Sequence, residues 1–226
     1  MRNNKGFTLI EIIVAVALVA ILSAAIAPSV LNNIAQGRIA RTQSDVQALG
    51  SAIMRFKSDT GVFPRLVQPS ASSASVGVPD TIGNRFDFLA SLSGTWPTRA
   101  SNRQWGSASL TLPTDFTNVK GSGSTQDFTS HLIIGKSRAS TDSLYVRAVN
   151  PEDPNSVGFR SGLISADQAD PWGHKYLCNV RALGATSEAV WVISAGPNGV
   201  METTVNDTGC QASPTVLGDD IGFRLQ

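Results

Sequence analysis

Arg2-Asn3-Asn4-Lys5-Gly6-Phe7-Thr8-Leu9-Ile10-Glu11 opens into an apolar run that continues to Ala27. Phe7 to Ala27 is 21 residues, enough for a helix rising about 1.5 Å per residue to cross a hydrocarbon core of about 30 Å. From Ile12 to Leu22 every residue is apolar, and the run holds one carboxylate, Glu11. An ionisable side chain at mid-membrane costs on the order of 3 kcal/mol, so its presence points to a function rather than to anchoring alone.

The order Lys5-Gly6-Phe7-Thr8-Leu9-Ile10-Glu11, glycine before an aromatic and glutamate at the fifth position counted from Phe7, resembles a prepilin-peptidase signal. Type IV pilins and type II secretion pseudopilins carry it. The resemblance implies a leader at 1–6, cleavage between Gly6 and Phe7, N-methylation of Phe7, and an assembly role for Glu11. Pro28 stands where many such pilins place a proline in their long first helix. Two other readings compete. A Sec signal cut after Ala25-Ile26-Ala27 would have the required small residues, but a glutamate interrupts its apolar region and Pro28 directly follows the cut. A plain anchor leaves Glu11 unexplained.

Composition narrows the classes further. The 226 residues carry 18 basic and 17 acidic side chains, net +1, which offers no polycationic surface for nucleic acid. A helical stem and one globular domain fit this length. Arg2 and Lys5 flank the apolar run, and positive charge flanking a membrane helix stays cytoplasmic. The rest is therefore expected in the periplasm, anchored by one pass through the inner membrane lipid. The two cysteines, Cys178 and Cys210, are expected to pair in such an oxidising compartment. That bridge would stabilise by about 3 to 4 kcal/mol in the chain-entropy picture. Two free buried thiols are the alternative.

Beyond Pro28, the positions Ile39, Val46, Leu49, Ile53 and Phe56 share one helical face. Thr60-Gly61 and Pro64 then end the helix. This predicts a helix over 7–60, roughly 80 Å long, with 7–27 transmembrane and its second half packed on a globular domain of 61–226. Gln68 to Gly83 reads as a loop rich in Ser, Ala, Gly and Pro, and Gly121-Ser122-Gly123-Ser124 as a loop tip. A short helix is expected around Phe86–Ser91, then a Trp96-Pro97 turn. Strands are expected at Ser109–Leu112, Leu144–Ala148, Tyr176–Val180 and Ala189–Ile193. The fold class is α+β: a long stem helix laid on a C-terminal antiparallel sheet.

Later segments extend the resemblance. Phe56 to Pro64 is similar to the close of the first helix in major pseudopilins, with Thr60 replacing an asparagine. Asp170-Pro171-Trp172-Gly173-His174-Lys175-Tyr176, then Ile193-Ser194-Ala195-Gly196-Pro197-Asn198-Gly199, then Gly218-Asp219-Asp220-Ile221-Gly222 resemble three segments of that family in the same order. The stretch 67–169 has no counterpart in a compact major pseudopilin, and the cysteine pair is more like that of type IV pilins. Major pseudopilins bind calcium near the last two segments, which implies Asn198, Asp219 and Asp220 as candidate ligands, with asparagine where aspartate is usual. Hard cations need several oxygen donors, which these residues supply.

Catalytic patterns are missing. No Gly-x-Ser-x-Gly elbow, His-Glu pair or Cys-x-x-Cys spacing occurs, and His131 and His174 read as structural. An enzyme is not expected. The resemblance implies a filament subunit of the type II secretion pseudopilus, with prepilin peptidase, related pilin subunits, and an inner-membrane platform driven by a cytoplasmic ATPase as partners. A type IV or competence pilin is the alternative. An anchored calcium-dependent binding module is the alternative of another class.

Overall fold

Leu9–Thr60 forms one α-helix, α1. Leu, Ala, Ile and Val fill its first half, and no glycine interrupts it before Gly37. Pro28 sits inside the helix and has no N–H to give the Ala24 carbonyl. At the other end, the Thr60 hydroxyl donates to the Phe56 carbonyl at 2.7 Å. Lys57 stands in the last turn, where the helix dipole favours a cation.

The computed structural model describes residues 6–60, 63–64, 88–99, 125–134, 162–164, 168–180, 183–184, 189–203 and 216–225. The chain divides into two units, Met1–Ala40 and Arg41–Gln226. In the first unit every described residue is exposed. Its most apolar window has a mean hydropathy of 2.8, and α1 is long and apolar enough to cross a membrane.

In the second unit, seven short strands follow α1 among the described residues: β1 Phe88–Ala90, β2 Thr98–Arg99, β3 Thr125–Asp127, β4 Leu177–Cys178, β5 Trp191–Ser194, β6 Val200–Met201 and β7 Ile221–Arg224. Five make one sheet in the order β3-β1-β4-β5-β7, and β2 pairs with β6 in a second. The central pairs are antiparallel, with Leu177 opposite Ile193 and Val192 opposite Phe223. Two pairs are parallel, β1 with β3 and β2 with β6.

Both faces of the main sheet are covered, and side chains alternate between them. Leu89, Cys178, Val190 and Val192 join Val46, Leu49, Ile53 and Phe56 of α1 in one core. Phe88, Ala90, Leu177, Trp191 and Ile193 form the other core with Met201 and Trp96. Gly50 lets β7 close on α1, since a Cβ there would come within 2.5 Å of the Phe223 ring.

Several sequence expectations need correction. Residues 88–90 of the expected Phe86–Ser91 helix form β1, with all three side chains buried; a short apolar run fits either period, and burial on two faces selects the strand. The chain bends at Leu92–Gly94 rather than at Trp96-Pro97, and Gly94 takes a φ of 100°. The segment around His131 forms a π-helix, Thr129–Ile134. The strands expected at Ser109–Leu112 and Leu144–Ala148, and the loops of Gln68–Gly83 and 121–124, lie outside the described residues. The segment without a pseudopilin counterpart contributes β1, β2, β3 and the π-helix.

Candidate functional site

The first group of candidate residues surrounds the start of α1. Gly6, Phe7 and Thr8 precede the helix in non-helical backbone, and Phe7 is 80% exposed. Thr8 is the N-cap: its carbonyl accepts from the Ile12 amide at 3.4 Å. Glu11, three residues on, accepts through Oε2 from the Thr8 N–H at 3.5 Å and from the Thr8 hydroxyl at 3.4 Å. A threonine cap followed by glutamate at the third helical position is the capping-box arrangement, and the carboxylate also meets the positive end of the helix dipole. The geometry leaves the Gly6–Phe7 bond accessible and places one anion a turn into an exposed apolar helix. Arg2 and Lys5 lie outside the described residues.

The second group gathers three sequence segments at one end of the sheet. Asp170 is their hub, its carboxylate accepting from the Trp172 and His174 amides at 3.0 and 2.7 Å and from the Ser194 hydroxyl at 2.6 Å. Ser194 Oγ in turn accepts from Gly196 N at 3.1 Å. His174 Nδ1 stands 3.9 Å from Asp170, and its ring lies so close to Gly199 that a Cβ there would come within 2.5 Å of Nε2. Ser194 is fully buried and gives its proton directly to a carboxylate, which is the geometry of a brace and not of an activated nucleophile.

The expected calcium residues converge only in part. Asp219 Oδ2 accepts from the Asn198 amide at 3.1 Å, and Asp220 Oδ2 accepts from the Glu202 and Thr203 amides at 2.9 and 2.6 Å. Asn198 Oδ1 is engaged by the Val200 amide at 2.6 Å, so it serves its own turn. Glu202, which sequence reasoning missed, caps the Asp219 amide at 3.1 Å and lies against Gly218. Burial pushes the Asp220 carboxyl up to about 6, with the Glu202 charge adding to the rise and the Thr203 and Glu202 hydrogen bonds opposing it.

Asp219 Oδ1 and Asp220 Oδ1 are buried without a hydrogen-bond partner. Two such oxygens fit the donor chemistry of a hard cation. No group of three or more His, Cys, Asp or Glu side chains among the described residues is arranged to hold a metal.

Two other expectations meet the structure inside the core. Cys178 carries a free thiol with no exposed surface, and burial raises its pKa. Cys210, its expected partner, lies outside the described residues. His131 is fully buried, and burial holds its pKa down at about 3 against the opposing charge of Asp127.

Comparison with known proteins gives matches to part of the chain. Residues 1–27 match the prokaryotic N-terminal methylation motif. The type II secretion system core protein G of Pseudomonas aeruginosa is 34% identical over 67 residues, 30% of this chain and 47% of that protein. The Vibrio cholerae protein of the same name is 34% identical over 64 residues, 28% of this chain and 44% of the relative. Fimbrial protein EcpC of Eikenella corrodens is 28% identical over 94 residues, 41% of this chain and 58% of the relative. The chain thus spans about half the length of the curated relatives it matches. No solved structure gives a significant match.

Proposed function

We propose that this chain, a type IV pilin-like protein close to the major pseudopilins, is a structural subunit of the type II secretion pseudopilus. The observation that carries the reading is the pairing of an accessible Gly6–Phe7 junction with Glu11 in the exposed apolar run from Phe7 to Ala27. Exposed apolar side chains from Phe7 to Leu31 suit lipid first and neighbouring helices afterwards. A carboxylate in that surface needs an opposite charge to offset its desolvation. In the proposed filament, the methylated Phe7 amine of an adjoining subunit supplies it.

Processing and assembly test the reading together. Intact mass should give a mature chain beginning at Phe7 with one added methyl group. Glu11→Leu and Glu11→Gln should both be processed and retained in the inner membrane, while the sheared filament fraction falls at least tenfold. A start at Pro28, or normal filament from Glu11→Leu, would overturn the assignment.

The match to fimbrial protein EcpC favours a second reading, a type IV or competence pilin. Filament yield in cells lacking the secretion outer-membrane channel separates the two. Calcium binding at Asp219 and Asp220 is part of the proposal and is supported by their two partnerless oxygens. A ligand that binds only the folded state raises the melting temperature by mass action, so millimolar calcium against chelator should raise it in wild type. The shift should vanish in Asp219→Ala/Asp220→Ala.

A further inference from the structure

The turn that joins β5 to β6 carries the chemistry to change its own charge. Asn198-Gly199 is the only asparagine–glycine pair in the 226 residues. We propose that Asn198 is a self-modification site: attack of the Gly199 nitrogen on its carboxamide converts it to aspartate or isoaspartate and adds a carboxylate next to Asp219. The effect on calcium rests on the calcium part of the function proposed above, whereas the conversion itself is a property of the single chain.

Asparagine is a thermolabile residue, and the residue after it governs its reaction, because that residue's main-chain nitrogen is the nucleophile. Glycine has no Cβ to shield the nitrogen, and Gly199 takes a φ of 67°, in the left-handed region that glycine occupies at no steric cost. Among the described residues its N–H makes one hydrogen bond, a long one of 3.4 Å to the Gly196 carbonyl, so little holds the proton in place. Pro197 and Asn198 are exposed, while Gly199 is covered by the His174 ring. The carboxamide is held along the chain, with Asn198 Oδ1 accepting from the Val200 amide at 2.6 Å. That donor faces the oxygen on which negative charge develops during attack, the role of an oxyanion-hole amide.

In the reaction Gly199 gives its amide proton to hydroxide and its nitrogen forms a bond to Asn198 Cγ. The Cγ–Nδ2 bond breaks as Nδ2 takes a proton from water and leaves as ammonia. Water then opens the cyclic imide at either carbonyl, giving aspartate or isoaspartate. The sum is one water consumed and one ammonia released, with no change of oxidation state. Asn179 is the internal contrast: it is buried, its carboxamide is engaged at both ends by Ala189 O and Trp191 N at 2.8 Å, and β-branched Val180 follows it. The Asn198 amide already donates to Asp219 Oδ2 at 3.1 Å, so the new charge falls on the residue that Asp219 touches. Without a cation the two carboxylates repel; with calcium the new oxygen is a further hard donor.

The first measurement needs no calcium. The full-length chain in detergent is incubated at neutral pH and followed by peptide mass spectrometry that separates the aspartyl and isoaspartyl forms. Asn198 should convert about tenfold faster than Asn179, whose carboxamide is tied at both ends. Equal rates at the two sites overturn the proposal. So does an Asn198 that stays intact in the folded chain while it converts in the urea-unfolded chain, since the fold would then protect it. The second measurement uses Asn198→Asp as a uniform form of the product. In chelator it should melt below wild type, and millimolar calcium should raise its melting temperature by more than it raises that of wild type, with aged wild type between them. Asn198→Gln, whose longer side chain cyclises far more slowly, should not change with age. Equal calcium shifts in wild type and Asn198→Asp would overturn the ligand role of the new carboxylate. No shift in either chain would instead sink the calcium reading, with the mass result still deciding the modification.

Discussion

The two halves of α1 share one backbone and differ in what covers their side chains. From Leu9 to Ala40 every side chain is exposed, although the apolar content is highest there. From Arg41 to Thr60 the buried positions Thr42, Val46, Leu49, Gly50, Ala52, Ile53 and Phe56 recur at helical spacing. The second half is a soluble-domain helix whose stability comes from a packed stripe. From Ile12 to Leu22 the first half is apolar all round, which in a soluble chain would be a liability and in lipid or against sister helices is not. Helix formation alone therefore says little about role; the distribution of apolar residues around the axis says more.

That contrast can be broken most directly in the core. Phe56→Ala should destabilise the second unit by about 3 to 5 kcal/mol, the usual cost of emptying a fully buried aromatic site. Leu18→Ala, 57% exposed in the first half, should leave the unfolding curve of the detergent-solubilised chain where it was. Equal losses from the two would mean that the first half is packed after all.

A pH titration sharpens it from a different side. His131 has a folded pKa near 3, below the ordinary 6.5, so the unfolded chain takes up a proton first as pH falls. Its contribution is whole above about 6.5 and is lost progressively below, on the order of 3 kcal/mol by pH 4. His131→Leu should flatten urea-unfolding stability over that window. The same slope in wild type and variant would place the acid sensitivity elsewhere.

The smallest effect is expected at the polar border of the helix. Tyr176 donates to Asp45 at 2.8 Å, and Tyr176→Phe should cost about 1 kcal/mol in unfolding free energy. The exposed Arg41–Asp45 pair at 3.5 Å contributes less than that.

Much of this architecture is legible in the residues themselves. A long, strongly periodic segment such as 9–60 leaves few alternatives. Strands β4 and β5 announce themselves through Tyr176–Val180 and Ala189–Ile193. Strand β1 does not, because Phe88-Leu89-Ala90 is too short to show a period. Strand β7, Ile221-Gly222-Phe223-Arg224, does not announce itself either, since its glycine argues against a strand and only the packing of Trp191 and Ile193 over it explains the strand. Glu11 stood out as a charge in an apolar run. Its bond to Thr8 follows a local Thr-x-x-Glu signature. The hub joining Asp170 to Ser194 is a tertiary fact with no local signal. Glu202 was hidden for the same reason, lying 17 positions from the amide it caps.

Gly50, bare so that the Phe223 ring can rest on the helix backbone, also sets a schedule. Translation delivers the stem helix first, and the strand that seats on it comes last in order among the described elements. Until residues near 223 have emerged, the groove at Gly50 stays open and Val46, Leu49 and Ile53 lack part of their cover. Folding of the second unit must then wait for that strand, while the apolar first half is long and apolar enough to enter a bilayer before it. In a filament subunit of the kind proposed, insertion would precede folding, and the nascent chain would be tethered before it has a finished surface with which to meet a neighbour.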